Sequence, residues 1–187
     1  MGIFRPNIYK KTIFDINYSL LKEKGIKCLI FDLDNTLGLI SHKSCPDNTK
    51  KLIKELQKDF IVVINSNNTK KRLKPYLEEL GIDGIAWGLK PSIKGLIIIK
   101  SKYKLKKKEM CIIGDQIVTD VLAGKRFHIK TILVDPMGEK DLKITGLNRK
   151  LEKKIIKYYE KNGVFERGKY YGEWKKVFRL WCYTTRC

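Results

Sequence analysis

Acidic and amide side chains follow four hydrophobic runs of this chain, at the point where each run ends. The first run, CLIF, leads directly into Asp32 and Asp34 of the segment DLDNTL. Carboxylates grouped at one place repel each other, so one of them takes up a proton unless a cation lies among them. The polar residues after the other three runs are Asn65, Ser66, Asn67 and Asn68, then Lys90 and Pro91, and then Gly114, Asp115 and Asp120. Oxygen ligands of this kind favour Mg²⁺ and a bound phosphate group.

This set of residue types is suited to phosphoryl transfer. One carboxylate can act as a nucleophile and form an aspartyl-phosphate. A second carboxylate two residues further along can protonate the leaving group and later activate water. A lysine and the hydroxyl of Ser66 would hold the remaining phosphate oxygens. Any one of these residues could be an ordinary turn or cap residue, but their occurrence after four consecutive runs favours a common site.

The pattern of elements predicts an α/β fold with a parallel sheet. Five apolar runs are typical of buried strands, at residues 28–31, 60–64, 85–87, 110–113 and 131–134. Helical spacing of apolar residues lies between them, in DNTKKLIKELQKD, TKKRLKPYLEELG, SIKGLIIIKSKY and IVTDVLAGKRF. Continuous apolar strands that alternate with helices indicate a parallel sheet covered on both faces. Ligands bind such sheets at the carboxyl ends of the strands, where the polar residues lie.

The motifs DLDNTL, NSNN, GLKP and GDQIVTDV, in this order and spacing, resemble the four motifs of the haloacid dehalogenase (HAD) superfamily of phosphatases. Two longer segments, one ending in CLIFDLDNTL and one beginning with RFHIKTILVDP, are similar to the YqeG-like group of subfamily IIIA. That group includes mitochondrial phosphatidylglycerophosphate phosphatases. The resemblance implies a three-layer, Rossmann-like fold with helices on both faces of the sheet.

The resemblance also implies roles for the acidic residues. Asp32 corresponds to the nucleophile and Asp34 to the general acid and base. Mg²⁺ would be held by Asp32, the backbone carbonyl of Asp34 and Asp115. Asp120 would lie next to these metal ligands and support them without binding the metal itself. Lys90 would take part in catalysis, and the residues implied to bind the phosphate are Thr36, Ser66, Asn67 and Lys90.

The short intervals between the motifs leave no room for a cap domain over the crevice. An uncapped crevice admits a phosphorylated headgroup on a large body, such as a lipid, a protein or a nucleic acid. Three functions therefore compete. The first is a Mg²⁺-dependent phosphatase acting on phosphatidylglycerophosphate, and the second is the same chemistry on a soluble or protein phosphomonoester. The third is a non-enzymatic, basic protein that binds RNA or ribosomes.

Charge and cysteine content bear on the partners and the compartment. Lys and Arg number 40 against 20 Asp and Glu, a net charge of +20 that favours anionic partners such as acidic lipid or nucleic acid. The alternative is a lysine-rich surface that only keeps the protein solvated. The five cysteines include no CxxC motif, and no signal peptide or membrane-spanning run is evident. We expect the protein on the cytoplasmic or organelle-matrix side, either soluble or peripherally associated with a membrane.

The end of the chain has a different composition. We predict a phosphatase domain over residues 1–162 and a basic, aromatic tail over 163–187. In GEWKKVFRLWC the helical spacing places one set of side chains on a single face, namely Trp174, Val177, Phe178 and Trp181, and puts cations on the opposite face. Such a helix is suited to an anionic membrane interface. The competing interpretation is that the apolar face packs on the core of the domain.

Overall fold

A computed structural model describes residues 2–138 and 145–172 of the chain, with the backbone alone at 145–149. Six parallel strands form one sheet in the order β1-β6-β5-β2-β3-β4. The strands are β1 Ile8–Lys10, β2 Cys28–Phe31, β3 Ile61–Asn65, β4 Asp83–Ile85, β5 Met110–Gly114 and β6 Lys130–Val134. The chain runs outward from β2 to β3 and β4 on one side, and β5, β6 and β1 lie on the other. The order therefore changes direction between β2 and β5.

Helices cover both faces of the sheet. They are α1 Tyr18–Glu23, α2 Asp47–Leu56, α3 Lys70–Leu80, α4 Lys94–Lys102, α5 Leu122–Phe127 and α6 Thr145–Lys161. The first three pack on one face, against alternate strand residues such as Phe31 and Ile64. The last three pack on the opposite face, against Ile30, Val63 and Leu133. The predicted three-layer α/β fold is confirmed, because period-two alternation sends neighbouring strand residues to opposite helical layers.

Local sequence signals set the ends of α3. The side chain of Thr69 accepts a hydrogen bond from the backbone N–H of Arg72 and caps the first turn. Gly81 adopts the left-handed conformation (φ 63°) that ends the helix, and its N–H bonds to the carbonyl of Leu77. This helix follows the end of β3 directly, so its first turn borders the sheet edge that carries the polar motifs.

One predicted strand was misplaced and one strand was not predicted. Residues 85–87 do not form the third strand, because the strand is Asp83–Ile85 and Trp87 has a positive φ of 54°. The N–H of Trp87 bonds instead to the carbonyl of Asn68 (3.0 Å), in the loop after β3. The strand β1 was not predicted at all. Its three residues are too few to show periodicity, and its pairing partner in the sheet, Ile132 opposite Ile8, lies far along the chain.

No inserted domain interrupts the described residues 2–138, so the crevice at the carboxyl ends of β2 and β5 has no cap. The segment between β2 and α2 is a loop held by the turn in which the N–H of Asn35 bonds to the carbonyl of Gly38 (2.8 Å). The helices within the described ranges are all too short or too polar to cross a bilayer.

Residues 164–172 pack against the sheet domain. Phe165 is buried, and its ring centroid lies 5.1 Å from that of Tyr9 in β1. Tyr9 and Tyr171 exchange two backbone hydrogen bonds of 2.9 and 3.0 Å. The division of the chain into 1–162 and 163–187 stays a prediction, and the part of the tail that the structure describes packs on the domain. The predicted interface helix with Trp174, Phe178 and Trp181 lies outside the described residues.

We predict that Phe165→Ala lowers the free energy of unfolding by about 3–5 kcal/mol, because a large buried ring leaves a cavity when it is truncated. Tyr158→Ala, at a side chain 64% exposed on α6, is the control and should cost far less. Urea unfolding followed by circular dichroism measures both. Equal small losses in the two variants would show that residues 164–172 do not belong to the folded domain.

Candidate active site

The carboxyl ends of β2 and β5 meet at the centre of the sheet. Phe31 pairs with Ile113, and the N–H of Asp32 bonds to the carbonyl of Ile113 (2.8 Å). Asp32 therefore follows β2 at the level where β5 ends at Gly114, and Asp115 comes directly after it. Since the strand order changes direction here, the neighbouring connections diverge and leave a crevice. The two motifs that carry the central acidic residues are placed side by side by strand register alone.

Three carboxylates are buried together in this crevice. One oxygen from each of Asp32, Asp115 and Asp120 lies within 4.8 Å of the others, and the three residues are 8%, 0% and 1% exposed. Lys90 Nζ lies 2.5 Å from Asp32 Oδ1 and 2.7 Å from Asp120 Oδ1. One ammonium group thus contacts two of the three buried carboxylates, those of Asp32 and Asp120.

Burial and the neighbouring charges shift the pKa values of Asp32 and Lys90. Burial raises the pKa of Asp32 to about 7; the ammonium of Lys90 opposes this shift and the carboxylates of Asp120 and Asp34 add to it. For Lys90, burial alone would lower the pKa, but the carboxylates of Asp120 and Asp32 raise it above its usual range. Lys90 therefore carries a positive charge beside these carboxylates.

The donor set fits a divalent cation. Carboxylate oxygens are hard ligands, and a charge of +2 would balance three carboxylates and one lysine. Both oxygens of Asp120 are engaged in hydrogen bonds. Its Oδ1 accepts from Lys90, and its Oδ2 accepts from the hydroxyl of Thr119 (3.2 Å) and the N–H of Gln116 (3.3 Å). Its role behind the metal ligands remains a prediction.

Close packing at Gly114 allows Asp120 to reach the cluster. A Cβ at position 114 would lie 2.3 Å from the carboxyl carbon of Asp120. Asp120 lies in a single π-helical turn, Ile117–Val121, that continues into α5. Such turns often place functional side chains, because the extra residue changes where each side chain points.

The backbone of Lys90 is fixed by a neighbouring loop. Asn67 accepts a hydrogen bond from the N–H of Lys90 (2.6 Å) through Oδ1 and donates to its carbonyl (2.9 Å) through Nδ2. The side chain of Asn67, predicted to bind phosphate, thus contacts Lys90 in this structure. Arg126 donates to the carbonyl of Pro91 (3.1 Å), which follows Lys90 through a cis peptide bond. These contacts direct the ammonium group into the cluster.

Two hydroxyl groups predicted to bind phosphate are buried near the same edge. Ser66 Oγ accepts from the N–H of Asn68 (3.1 Å) and retains a hydroxyl hydrogen for donation. Thr36 is 1% exposed, and its hydroxyl has no hydrogen-bond partner among the described residues. A buried hydroxyl without a partner is unfavourable, so a ligand oxygen at this place would satisfy it.

Asp34 lies at the rim and is held by Asn68 of the second motif and by Arg72, which sequence analysis did not identify as a site residue. Arg72 donates to Asp34 Oδ1 from Nε (3.0 Å) and Nη2 (2.9 Å), and Asn68 donates to Oδ2 (3.0 Å). Arg72 also donates to the carbonyls of Leu39 (3.0 Å) and His42. One guanidinium therefore orients Asp34 and holds the loop after it. The sequence signal that could have identified Arg72 is that it is an arginine among many lysines. The planar guanidinium of arginine can donate two hydrogen bonds to one carboxylate.

Glu152 is a second residue that sequence analysis missed. It is 1% exposed on α6, and its Oε1 accepts from the N–H of Ile117, at the start of the turn that carries Asp120 (3.0 Å). Arg167 donates to the same oxygen (3.0 Å) and pairs with Asp135 (3.0 Å). The last part of the described chain thus supports the fourth motif. No local pattern could reveal this contact, because the partners are distant in sequence.

We predict that Asp32→Asn leaves the stability of the metal-free protein level or slightly higher and removes part of its pH dependence. The folded-state pKa of about 7 exceeds the unfolded value near 3.8, so the folded state binds the extra proton between them. The free energy of unfolding should therefore fall as pH rises through this window, by up to about 1.4 kcal/mol per pH unit.

Urea unfolding in EDTA at about pH 5 and about pH 7 tests this expectation, with the exposed Asp47→Asn as the control. The fall should be smaller in Asp32→Asn than in the wild type or the control. An identical fall in all three proteins would show that Asp32 is ionised throughout.

We predict that Lys90→Met destabilises the protein by about 3–5 kcal/mol, because it leaves buried carboxylates without their cation. Adding Asp120→Asn should recover part of this loss by removing one of the charges. Lys108→Met, at an exposed lysine, is the control and should change stability by less than about 0.5 kcal/mol. If the second substitution made the protein less stable still, charge imbalance would not be what Lys90 relieves.

Comparisons with known proteins agree with this geometry. A family model described as HAD-hydrolase-like matches residues 89–142, which carry the third and fourth motifs. The chain is 39% identical over 161 residues to a Bacillus subtilis (strain 168) protein named "Probable phosphatase YqeG", covering 86% of this chain and 94% of that one. It is 24% identical over 170 residues to the Arabidopsis thaliana protein "Phosphatidylglycerophosphate phosphatase 1, chloroplastic/mitochondrial", covering 85% of this chain and 49% of that one.

A solved structure shows the same fold. An uncharacterized protein from Listeria monocytogenes serotype 4b superimposes with a TM-score of 0.51 at 18% identity, covering 63% of this chain and 85% of that one. The four motifs gathered at one sheet edge and the extent of the Bacillus match lead to one conclusion: the chain belongs to the YqeG-like group of the HAD superfamily phosphatases.

Proposed function

We propose that this protein hydrolyses a phosphomonoester through an aspartyl-phosphate on Asp32, with Mg²⁺ held by Asp32, the backbone carbonyl of Asp34 and Asp115. The observation that carries the proposal is the buried cluster of three carboxylates with one lysine between them. Carboxylate oxygens gathered in one buried place are the hard ligands that Mg²⁺ favours. When bound, Mg²⁺ would neutralise the carboxylates and polarise the phosphoryl group.

Asp32 performs the first step in this proposal. One carboxylate oxygen attacks phosphorus, the bond from phosphorus to the ester oxygen breaks, and Asp34 donates a proton to the departing oxygen. Lys90 holds Asp32 Oδ1 at 2.5 Å, which fixes the orientation of the carboxylate. Ser66 and Thr36 would donate to the phosphoryl oxygens, which gain negative charge as the transfer proceeds.

Asp34 performs the second step. It takes a proton from water, the resulting hydroxide attacks phosphorus, and the bond to Asp32 breaks to release phosphate and restore the carboxylate. Arg72 and Asn68 donate to both oxygens of Asp34 and so fix the orientation of its carboxylate for this step. Arg72 is thus a positioning residue for the proton acceptor. Glu152 positions the turn that carries Asp120.

For the substrate, we propose phosphatidylglycerophosphate. Support comes from the uncapped crevice, which admits a headgroup on a large body, and from the name of the Arabidopsis relative. The alternative within the same chemistry is a soluble or protein phosphomonoester. The net charge of +20 favours a different class of function, binding to RNA or ribosomes without catalysis, although such a protein would have no need of the buried cluster.

We predict that phosphate release requires Mg²⁺, stops in EDTA, and is lost in Asp32→Asn and Asp115→Asn. Asp34→Asn should lower turnover by about 10²- to 10⁴-fold, the usual contribution of a positioned acid and base. The assay compares phosphatidylglycerophosphate in mixed micelles with nucleotide, sugar and peptide phosphates, and Asp47→Asn is the matched control at an exposed carboxylate.

Each result discriminates between the proposals. Preference for the lipid supports the first substrate, and preference for a soluble phosphate supports the alternative. Full turnover in EDTA would remove the metal from the mechanism. Turnover of Asp32→Asn above about a tenth of wild type would remove Asp32 from the nucleophile role, since loss of a covalent nucleophile costs far more than tenfold.

A further inference from the structure

Two large apolar side chains are exposed on the loop that carries Lys90. Trp87 is 57% exposed and Leu89 is 58% exposed, whereas Gly88 between them and Lys90 after them are buried. The loop lies at the edge of the sheet where the carboxylates meet. The proposed mechanism uses neither side chain. Adjacent exposed apolar residues at the rim of a catalytic crevice are typical of an interaction surface.

The backbone of the loop keeps both side chains outside. Trp87 and Leu89 have φ values of 54° and 51°, a left-handed conformation that is an outlier for bulky residues. The N–H of Gly88 bonds to the carbonyl of Ser66 (2.8 Å), in addition to the bond from Trp87 to Asn68. A Cβ at Gly88 would lie 2.3 Å from Asn65 Oδ1, so the loop is closely seated on the end of β3. Strain of this kind persists where the surrounding contacts impose it, and often at functional sites.

Exposed lysines begin the helices that precede and follow β4 and this loop in the sequence. Lys70 and Lys71 begin α3, directly after the loop to which Trp87 is bonded. A groove of about 470 Å³ brings both lysines beside Ala86, and its other lining residues include Leu73, Leu77 and Gly84. On the other side, Lys94 begins α4. Ile97 and Ile98, 48% and 53% exposed, follow one turn later on the same face as Lys94.

We propose that Trp87 and Leu89, with Lys70, Lys71 and Lys94, form a surface that docks on an anionic lipid bilayer. Tryptophan is favoured at the depth of the lipid headgroups, and each cation near an anionic surface contributes about 1 kcal/mol. A stable protein partner needs about 800 Å² on each side, more than two protruding side chains offer. Because Lys90 follows Leu89 directly, docking turns the crevice towards the headgroups. The proposal rests on the proposed function for its choice of a phosphorylated lipid as substrate.

Vesicle binding of the full chain is the first test. The protein is sedimented with vesicles of phosphatidylcholine and phosphatidylglycerol, or of phosphatidylcholine alone. We expect binding to the anionic vesicles that weakens with salt, and a loss of about tenfold or more in the double variant Trp87→Ser, Leu89→Ser. The matched control is Leu151→Ser with Tyr158→Ser, which removes side chains 50% and 64% exposed on α6. Equal binding by the two double variants would overturn the proposal.

Fluorescence locates the contact within the chain. The sequence has three tryptophans, so Trp174→Phe with Trp181→Phe leaves Trp87 as the single one. Its emission should shift to shorter wavelength on anionic vesicles and be quenched by brominated acyl chains. Unchanged emission from a protein that still sediments with vesicles would place the contact elsewhere, for example in residues 173–187. Loss of self-association in the Trp87 and Leu89 variant, without any change in vesicle binding, would assign the surface to a second copy and overturn the proposal.

Activity measurements separate this proposal from the proposed function. The Trp87 and Leu89 variant should hydrolyse a small phosphoester within about twofold of the wild type, since neither side chain contacts the carboxylate cluster. It should lose hydrolysis of the lipid in vesicles. Vesicle binding through Trp87 without phosphate release from any substrate would support docking and contradict the phosphatase. Phosphate release from a protein that does not bind vesicles would support the phosphatase and contradict docking.

Discussion

Three carboxylates buried around one ammonium group are the constraint on which the rest of this structure depends. Asp32, Asp115 and Asp120 lie where β2 and β5 end, and Lys90 is the cation that contacts two of them. The desolvation of such charges is costly, and their mutual repulsion adds to the cost. The raised pKa of Asp32, about 7, expresses this cost as a preference for the neutral form. A bound divalent cation would relieve the same imbalance while keeping Asp32 charged and nucleophilic.

The surrounding fold holds this unfavourable arrangement in place through contacts between distant parts of the chain. Asn67 fixes the backbone of Lys90 from the end of β3, and Glu152 fixes the turn of Asp120 from α6. Arg72, in the first turn of α3, fixes Asp34 and the loop beyond it. Each support comes from a different element. Removing one should disturb a single motif and leave the parallel sheet intact, because the sheet is held by its own two apolar layers.

No cap covers the crevice in the described part of the chain, so the loop after β4 forms part of the rim of the site. Trp87 and Leu89 stand at the rim because their backbone is bonded to the Ser66–Asn68 loop rather than to the sheet. The proposed docking surface and the proposed catalytic lysine therefore lie on one short, strained segment. In this account a docked membrane would exclude water from the uncapped crevice.

Much of the fold and the positions of the acidic residues could be predicted from sequence. Continuous apolar strands such as Cys28–Phe31 and the caps of α3 at Thr69 and Gly81 have local signals, and strand ends in a parallel sheet share one edge. The strand β1 and the contacts of Glu152 could not be predicted, because they depend on pairing across more than half of the described chain or between separate elements.

The strand β4, which was predicted at residues 85–87, shows a further limit of pattern analysis. Its apolar run, Ile85 to Trp87, continues past the point where the backbone leaves the sheet. The run predicted a buried strand, but the side chain of Trp87 is exposed. Hydrophobicity alone does not distinguish a side chain that packs in a core from one that serves a surface. The left-handed backbone of Trp87 and Leu89, visible only in the structure, makes the distinction.

The central claim is that the buried carboxylates hold a divalent cation, and anomalous scattering from Mn²⁺ tests it most directly. Crystals of the protein grown with Mn²⁺ and with phosphate should show one strong anomalous peak within coordination distance of Asp32 and Asp115, with Asp120 and Lys90 close behind. The peak should disappear in Asp115→Asn crystals grown under the same conditions. A peak at another place, or a wild-type cluster that stays without metal while Lys90 bridges Asp32 and Asp120 as before, would contradict the account.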